Sequence, residues 1–200
     1  MDKDKQKERN FFYNTPYISF PKYPNKLKLD DHEVYDYICP EIMSGLIDNL
    51  SRKIDYSKFD TVLVNMKGGK FLYDEIVKRK SEPINHDVIE YHQVKGGFGA
   101  IVIIPVPRNL DDKKCLIIDD ILDTGGVFKE IIKNLSEDSL CVALVQKINI
   151  NNQIEIKNKI VGTRIDNVWV GGCGMNLETE GDGLPKDYLR EYSGLVAKIL

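Results

Sequence analysis

Short apolar runs alternate along the chain with segments whose apolar residues recur at helical spacing. The apolar runs at 61–66 and 115–118 are typical of strands buried on both faces, and those at 87–91, 100–107 and 140–147 also predict strands. Between them, apolar positions predict three helices: Met43, Leu46, Ile47, Leu50 and Ile54; Leu72, Ile76 and Val77; and Val127, Phe128, Ile131, Ile132 and Leu135. Strands that alternate with helices predict an α/β fold with a mainly parallel sheet.

The remaining segments are less regular. Residues 152–172 are typical of shorter strands, and residues 181–194 of a turn that leads into a final helix. The glycines of residues 92–99 predict a loop. We expect residues 1–10 to be a solvated tail and residues 11–40, rich in Phe, Tyr and Pro, to be irregular polypeptide that covers the domain.

Composition limits the classes of protein that fit. With 200 residues, 42% hydrophobic, the chain is long enough for one domain with a core. A formal net charge of -3 does not favour a nucleic-acid partner. The charged start, MDKDKQKERN, is not typical of a signal peptide, and no apolar stretch is long enough to span a bilayer. Four cysteines without metal-ligand spacing indicate free thiols and a cytoplasmic protein: Cys39, Cys115, Cys141 and Cys173.

The most informative stretch begins where the apolar run 115–118 ends. Asp119, Asp120 and Asp123 follow it with no basic residue among them. Because an unpaired buried carboxylate is costly, we expect these acids at an exposed strand end. Thr124, Gly125, Gly126 and Val127 then begin a helix; we call residues 119–127 the acid turn.

The acid turn has the residue types of a site for a phosphorylated sugar. Backbone amides at a helix start attract phosphate, glycines let it come close, and Thr124 adds a hydroxyl donor. Asp119 and Asp120 suit the hydroxyls of a sugar diol or a magnesium ion, and Asp123 can accept a proton. The alternative is that the three carboxylates are solvated turn residues, with a helix cap among them.

Four stretches in order resemble the type I phosphoribosyltransferases. CLIIDDILDTGG (115–126) resembles their phosphoribosyl-pyrophosphate (PRPP) signature. VNMKGGKFLYDEI (64–76), ALVQK (143–147) and VWVGGCGMN (168–176) resemble the pyrophosphate loop and the two purine-binding segments of the hypoxanthine-guanine enzymes. The resemblance covers roughly residues 43–190. It implies the type I phosphoribosyltransferase fold, a mainly parallel sheet flanked by helices, with a small hood.

The resemblance also implies a role for each residue of the acid turn. Asp119 and Asp120 would contact the ribose hydroxyls, with Mg²⁺ held close by. Asp123 would be the catalytic base at the imidazole-ring nitrogen of the purine. Four residues would hold the 5′-phosphate: Thr124, Gly125, Gly126 and Val127.

Residues outside the acid turn receive roles by the same resemblance. Pyrophosphate would be bound by Lys67, Gly68 and Gly69, with a cis peptide between Met66 and Lys67. On the purine side, Lys147 would hydrogen-bond the oxo group, and Trp169 would stack on the ring. The Val170 backbone would read the ring edge, beside Asn176. Read without the resemblance, Trp169 is equally typical of core packing, and Lys147 of a strand's exit to solvent.

Four positions depart from the family pattern. Val127 stands where a Thr or Ser phosphate donor is usual, which predicts weaker phosphate affinity. Asn176 replaces an Asp near base and metal. Glu90-Tyr91-His92 lacks the Ser-Tyr pair of the mobile lid, and the segment 181–185 lacks its Arg.

These observations predict a purine phosphoribosyltransferase that uses PRPP, a 6-oxopurine and Mg²⁺, and by resemblance a homo-oligomer, a dimer or tetramer. The expected parts of its single domain are the N-terminal tail and irregular segment (1–40), the phosphoribosyltransferase core (41–147), and the hood strands with a C-terminal helix (148–200). Two alternatives remain: a related enzyme for xanthine or a pyrimidine, and a regulator that binds PRPP without turnover. A PRPP synthase would need a nucleotide site that the sequence does not indicate.

Overall fold

A computed structural model describes most of the chain. The residues it describes are 15–19, 21, 26–29, 32–66, 68–80, 87–95, 101–104, 110–133, 135–148, 150–151, 153–175 and 192–198. In chain order the elements are β1 (Tyr17–Ile18), β2 (Lys26–Leu29), β3 (His32–Ile38), α1 (Pro40–Lys53), a 3-10 turn (Tyr56–Lys58), β4 (Thr61–Asn65), α2 (Gly68–Lys78), β5 (Asp87–Lys95), β6 (Ile101–Ile104), β7 (Cys115–Leu122), α3 (Gly126–Ile132), β8 (Leu140–Lys147), β9 (Lys159–Ile165), β10 (Trp169–Gly171) and β11 (Leu195–Lys198).

A seven-stranded sheet forms the centre of the molecule, in the order β1-β9-β8-β7-β4-β5-β6. All neighbours pair in parallel except β5 and β6, which are antiparallel. The strands β4 and β7 are buried because helices cover both faces of the sheet. The mainly parallel sheet flanked by helices that the alternation predicts is thus confirmed.

Each face of the sheet has its own apolar core. On one face, α1 and α2 pack their buried residues, including Met43 and Leu72, against Val64 and Ile118. On the other, Phe128 of α3 packs with Leu63 and the strand residues that alternate with the first set. The α1 sequence suits this position, because Pro40 fits a first helical turn and Arg52 and Lys53 complement the dipole of the last.

A second, smaller sheet lies outside the central one. Its four strands are antiparallel, in the order β10-β11-β3-β2, and we call it the hood sheet. It joins the N-terminal part of the chain to the C-terminal part, because β3 pairs with β11. Trp169, the first residue of β10, brings the hood sheet to the edge where β8 ends.

Several predicted elements differ from the structure. Residues 26–29 and 32–38 are strands, not irregular polypeptide, because β2 pairs with β3, and β3 also pairs with the distant β11. Strand β5 continues to Lys95, beyond the predicted end at residue 91, since it forms a hairpin with β6. Helix α3 ends at Ile132, which leaves Leu135 outside it.

At the C-terminal end the difference is larger. The final described residues, 195–198, form a strand, and 192–194 are not helical. The predicted helix of 181–194 otherwise lies outside the described residues, as do the whole N-terminal tail, residues 1–10, and the glycines at 96–97. The boundary predicted at residue 148 is untested, although β9 beyond it belongs to the central sheet. Within the described part of the chain, no helix has the length and apolar character to cross a membrane.

Candidate active site

Among the residues that the structure describes, those predicted for the site lie near the edge of the central sheet where β4, β7 and β8 end. Asn65 is the last residue of β4, Asp119 and Asp120 lie near the end of β7, and Lys147 ends β8. In open parallel sheets, ligands bind in the crevice outside this edge. The topology therefore gathers residues from three separated segments into one place.

Asp119 lies inside the protein, which contradicts the prediction of an exposed strand end. Its residue is 2% exposed, because β7 continues to pair with β8 as far as Leu122. The Asn65 side-chain amide donates a 2.8 Å hydrogen bond to Asp119 Oδ1, and the Asp120 backbone N–H donates another at 2.8 Å. Burial and the neighbouring Asp120 raise the pKa of Asp119 well above its usual range, while the Asn65 hydrogen bond acts in the opposite direction.

Asp120 is half-buried and faces the start of α2. A Cβ atom placed on Gly68 would lie 1.6 Å from Asp120 Oδ2, so only glycine permits this approach. A Cβ on Gly69 would lie 2.7 Å from the backbone oxygen of Ile118. Burial raises the pKa of Asp120. The glycine pair predicted to bind pyrophosphate is thus packed against the acids of β7, while Lys67 and its peptide bond with Met66 lie outside the described residues.

The acid turn is held by backbone contacts. Gly125 has φ of 84°, and a Cβ there would lie 2.8 Å from the carbonyl oxygen of Ile154. The Ile154 N–H donates to the Thr124 carbonyl oxygen at 2.7 Å. Helix α3 begins at Gly126, and Val127 packs in its first turn against the core of that face. The strand, glycine turn and helix predicted from the sequence are all present.

Three of the residues predicted to contact a purine lie close together: Lys147, Asp123 and Trp169. The ammonium Nζ of Lys147 lies 3.3 Å from Asp123 Oδ2 and 5.4 Å from the centre of the Trp169 ring. Lys147 is only 7% exposed, whereas Trp169 is 46% exposed. Trp169 is therefore not a core residue, and Lys147 does not point to open solvent. Val170 is buried in β10, and Asn176 lies outside the described residues.

Two residues of this site were missed in the sequence. Asn65 is a polar residue at the end of an apolar strand, a signal that could have indicated it. Gln153 lies in a polar stretch with no such signal, yet its side-chain amide contacts the backbone oxygens of both Asp123 and Lys147. Only the path of the chain after β8 brings it there.

The carboxylates suit a divalent cation that takes further ligands from a substrate. No group of three or more Asp, Glu, His or Cys side chains with metal-binding geometry occurs among the residues that the structure describes. Mg²⁺ is commonly held by one or two carboxylates together with substrate phosphates and water. The half-buried Asp120, with Asp119 behind it, provides donors of that kind, so the residues present fit such an ion.

Comparisons with known proteins agree with this site. The chain is 29% identical over 157 residues to the hypoxanthine-guanine phosphoribosyltransferase of Staphylococcus aureus, covering 74% of this chain and 84% of that protein. The enzyme of the same name from Staphylococcus epidermidis is 28% identical over 157 residues. No protein-family model matches the chain.

Solved structures show the same architecture. The hypoxanthine phosphoribosyltransferase of Trypanosoma cruzi, in complex with the product IMP, superposes with a TM-score of 0.65 at 16% identity, covering 88% of this chain and 95% of that one. A hypoxanthine phosphoribosyltransferase from S. aureus gives a TM-score of 0.60 at 21% identity, covering 81% and 89%. The fold is that of the type I phosphoribosyltransferases.

Among proteins of that fold, the chain is similar in sequence to hypoxanthine-guanine phosphoribosyltransferases, as its motifs predicted. Its named relatives are all phosphoribosyltransferases, which are enzymes. The resemblance inferred from the motifs is confirmed.

Proposed function

We propose that the protein is a purine phosphoribosyltransferase of purine salvage. It would transfer the phosphoribosyl group of PRPP to hypoxanthine or guanine, and to xanthine as a further candidate, releasing a nucleoside monophosphate and pyrophosphate. The observation that carries this proposal is the meeting of Lys147, Asp123 and Trp169 beside the acid turn. The 6-oxo oxygen and N7 of such a purine lie next to each other on one edge of the ring.

The geometry fits that edge of the purine. Lys147 would donate a hydrogen bond to the oxo oxygen, while Asp123 would accept the proton from the adjacent ring nitrogen. Lys147 Nζ and Asp123 Oδ2 lie 3.3 Å apart. One purine ring can therefore place its oxo oxygen against Lys147 and its adjacent ring N–H against Asp123. The exposed face of Trp169 would stack on the base, and the Val170 backbone would read its remaining edge.

The other residues would hold PRPP. Asp119 and Asp120 are assigned to the ribose hydroxyls, the acid turn from Thr124 to Val127 to the 5′-phosphate, and Lys67, Gly68 and Gly69 to pyrophosphate. Departure of pyrophosphate leaves positive charge on the sugar ring and negative charge on the leaving group. Backbone amides and Lys67 would stabilise the negative charge, and the carboxylates the positive. Mg²⁺ held at Asp119 and Asp120 would neutralise part of the pyrophosphate charge.

An assay of nucleotide formation tests the proposal. The protein is incubated with Mg²⁺, PRPP and, separately, hypoxanthine, guanine, xanthine, adenine or uracil. We expect turnover with the 6-oxopurines, and a fall of about 10²-fold or more in the variant Asp123→Asn, which cannot accept the proton. Asp138→Asn is the matched control, because Asp138 is an exposed acid before β8, away from the site.

The possible results separate the alternatives. Turnover with adenine or uracil alone would assign a different base. Binding of PRPP without turnover of any base would refute the enzyme and favour a PRPP-binding regulator. We further propose, by resemblance to the family, that the protein is a cytoplasmic homo-oligomer, a dimer or a tetramer. Light scattering would measure the mass of this oligomer.

A further inference from the structure

A single glutamine side chain connects the two strands that carry the purine-binding residues. The ladder between β7 and β8 ends with the pair Leu122 and Gln146. Asp123 follows Leu122, and Lys147 follows Gln146. At these two residues β7 and β8 no longer pair with each other, and the crevice begins. Gln153 Nε2 donates one hydrogen bond to the Asp123 carbonyl oxygen at 2.7 Å and another to the Lys147 carbonyl oxygen at 2.8 Å. The amide thus continues the connection just beyond the last strand pair.

The residue after Gln153 is fixed to the same turn. Ile154 donates its N–H to the Thr124 carbonyl oxygen at 2.7 Å, and its own carbonyl oxygen occupies the space beside Gly125. Three consecutive residues of the acid turn, Asp123 to Gly125, therefore contact the pair Gln153–Ile154. This pair is anchored at several points, and its amide is not free to turn toward solvent.

The side chains of Lys147 and Asp123 do not hold each other as firmly. Their ion pair is 3.3 Å long, and the Asp123 side chain is 48% exposed. Although Lys147 is buried, an ion pair with a half-exposed carboxylate contributes little free energy, so it constrains the two side chains only weakly. The separation of the two residues is therefore set by the backbone, where both N–H groups of one planar amide are used.

We propose that Gln153 is a positioning residue that fixes Lys147 and Asp123 at the separation a 6-oxopurine requires. The inference rests on the function proposed above. It assigns Gln153 no contact with the substrate, because its two donors already bind backbone oxygens. A displacement of about 1 Å in a reacting group can lower a rate by about 10²-fold, so loss of the amide affects catalysis without removing any catalytic group.

Kinetics of two variants test this role. Gln153→Leu keeps the approximate size and removes both donors, and Gln153→Glu keeps the shape but cannot donate. We expect kcat/KM for hypoxanthine to fall about 10- to 100-fold in both, with a much smaller change in the KM for PRPP. Asn151→Leu is the matched control, since Asn151 is exposed in the same segment.

Fluorescence gives a second measurement that needs no substrate. Trp169 is the only tryptophan of the chain, and its ring lies 5.4 Å from the Lys147 ammonium. If Gln153 positions Lys147, emission from the folded Gln153→Leu variant shifts in the same direction as emission from Lys147→Met. In a double-mutant cycle, Gln153→Leu then lowers kcat/KM less in the Lys147→Met background than in the wild type.

Other outcomes would overturn the inference. Unchanged kinetics and emission in Gln153→Leu would show that the amide is dispensable. A lower Tm together with equal losses in every kinetic constant would show a general structural role. If the wild type turns over no base, the proposed function fails, and the fluorescence comparison still decides whether Gln153 positions Lys147.

Discussion

At the scale of single residues, the buried carboxylate of Asp119 is the least expected feature. In the sequence, Asp119 stands next to Asp120 with no basic residue beside it. In the structure, Asp119 is only 2% exposed, and the Asn65 side-chain amide donates a hydrogen bond to its carboxylate. A hydrogen bond from a neutral amide only partly offsets the burial of a charge. The pKa of Asp119 is raised well above its usual range as a result.

This raised pKa predicts how stability depends on pH. The unfolded carboxyl titrates near about pH 3.9, so the stability linked to the protonated form is present below that pH. It is lost as pH rises through the higher folded pKa. Asp119→Asn retains an acceptor for Asn65 and carries no charge, so we expect its Tm in EDTA to exceed the wild-type Tm at pH 7. The difference should vanish toward about pH 4.

Asp55, whose pKa is lowered rather than raised, provides the control. The Ser57 hydrogen bonds lower the pKa of Asp55, so the stability from Asp55 is present above its unfolded pKa and lost on acidification. Asp55→Asn is therefore expected to lower Tm slightly at pH 7. A lower Tm for Asp119→Asn at pH 7 would mean that the Asn65 hydrogen bond outweighs the effect of burial.

At the scale of elements, the site depends on how closely α2 approaches β7. Gly68 and Gly69 lie in the first turn of α2, where any side chain would overlap Asp120 or the backbone of Ile118. The Lys-Gly-Gly motif was interpreted only as a pyrophosphate loop. The structure adds a packing reason for the glycines, which is independent of any ligand.

Substitution of Gly68 by alanine tests this approach. The new Cβ would lie 1.6 Å from Asp120 Oδ2, so helix or carboxylate must move. We expect the KM for PRPP to rise about tenfold or more, because a displaced Asp120 could not make the ribose contact that is proposed for it. Steady-state kinetics at saturating hypoxanthine would measure it.

Gly45→Ala is the matched control in another helix. Gly45 lies inside α1, and nothing lies within 4 Å of its Cβ position. Alanine there should stabilise the protein by about 0.5–1 kcal/mol and leave the kinetics unchanged. Equal kinetic constants for Gly68→Ala and the wild type would contradict the importance of the close approach.

At the scale of the whole molecule, the two cores on either side of the sheet enclose most of the thiols. Cys115, Cys141 and Cys173 are buried, and Cys39, just before α1, is partly exposed. Burial raises the pKa of Cys115 to about 11 and that of Cys173 to about 12. A buried thiol with a raised pKa forms little thiolate and reacts slowly.

Thiol labelling therefore reports on the packing of the whole domain. We expect one thiol, Cys39, to react rapidly with Ellman's reagent at pH 8 in the native protein, and all four to react in denaturant. Cys39→Ser should abolish the rapid phase. Rapid reaction of a second thiol in the native Cys39→Ser variant would show that one of the two cores is open.

The sequence was sufficient for features that depend on local pattern. The apolar runs of β4, β7 and β8 and the helical spacing of α1 and α2 identify the central layers, because burial on both faces requires such residues. The order of strand, acids, glycines and helix identifies the acid turn. The resemblance then indicated the class that the fold and the named relatives confirm.

Tertiary structure decided the features that depend on contacts between distant segments. Strand β3 was missed because its partner β11 lies more than 150 residues further on in the chain, and β2 pairs only with β3. Asp119 is buried because β7 continues to pair with β8 beyond it, and Asn65 on the neighbouring strand β4 donates a hydrogen bond to its carboxylate. Gln153 carries no local signal, because its side-chain amide donates to the backbone oxygens of Asp123 and Lys147, which belong to two separate segments that only the folded chain brings together.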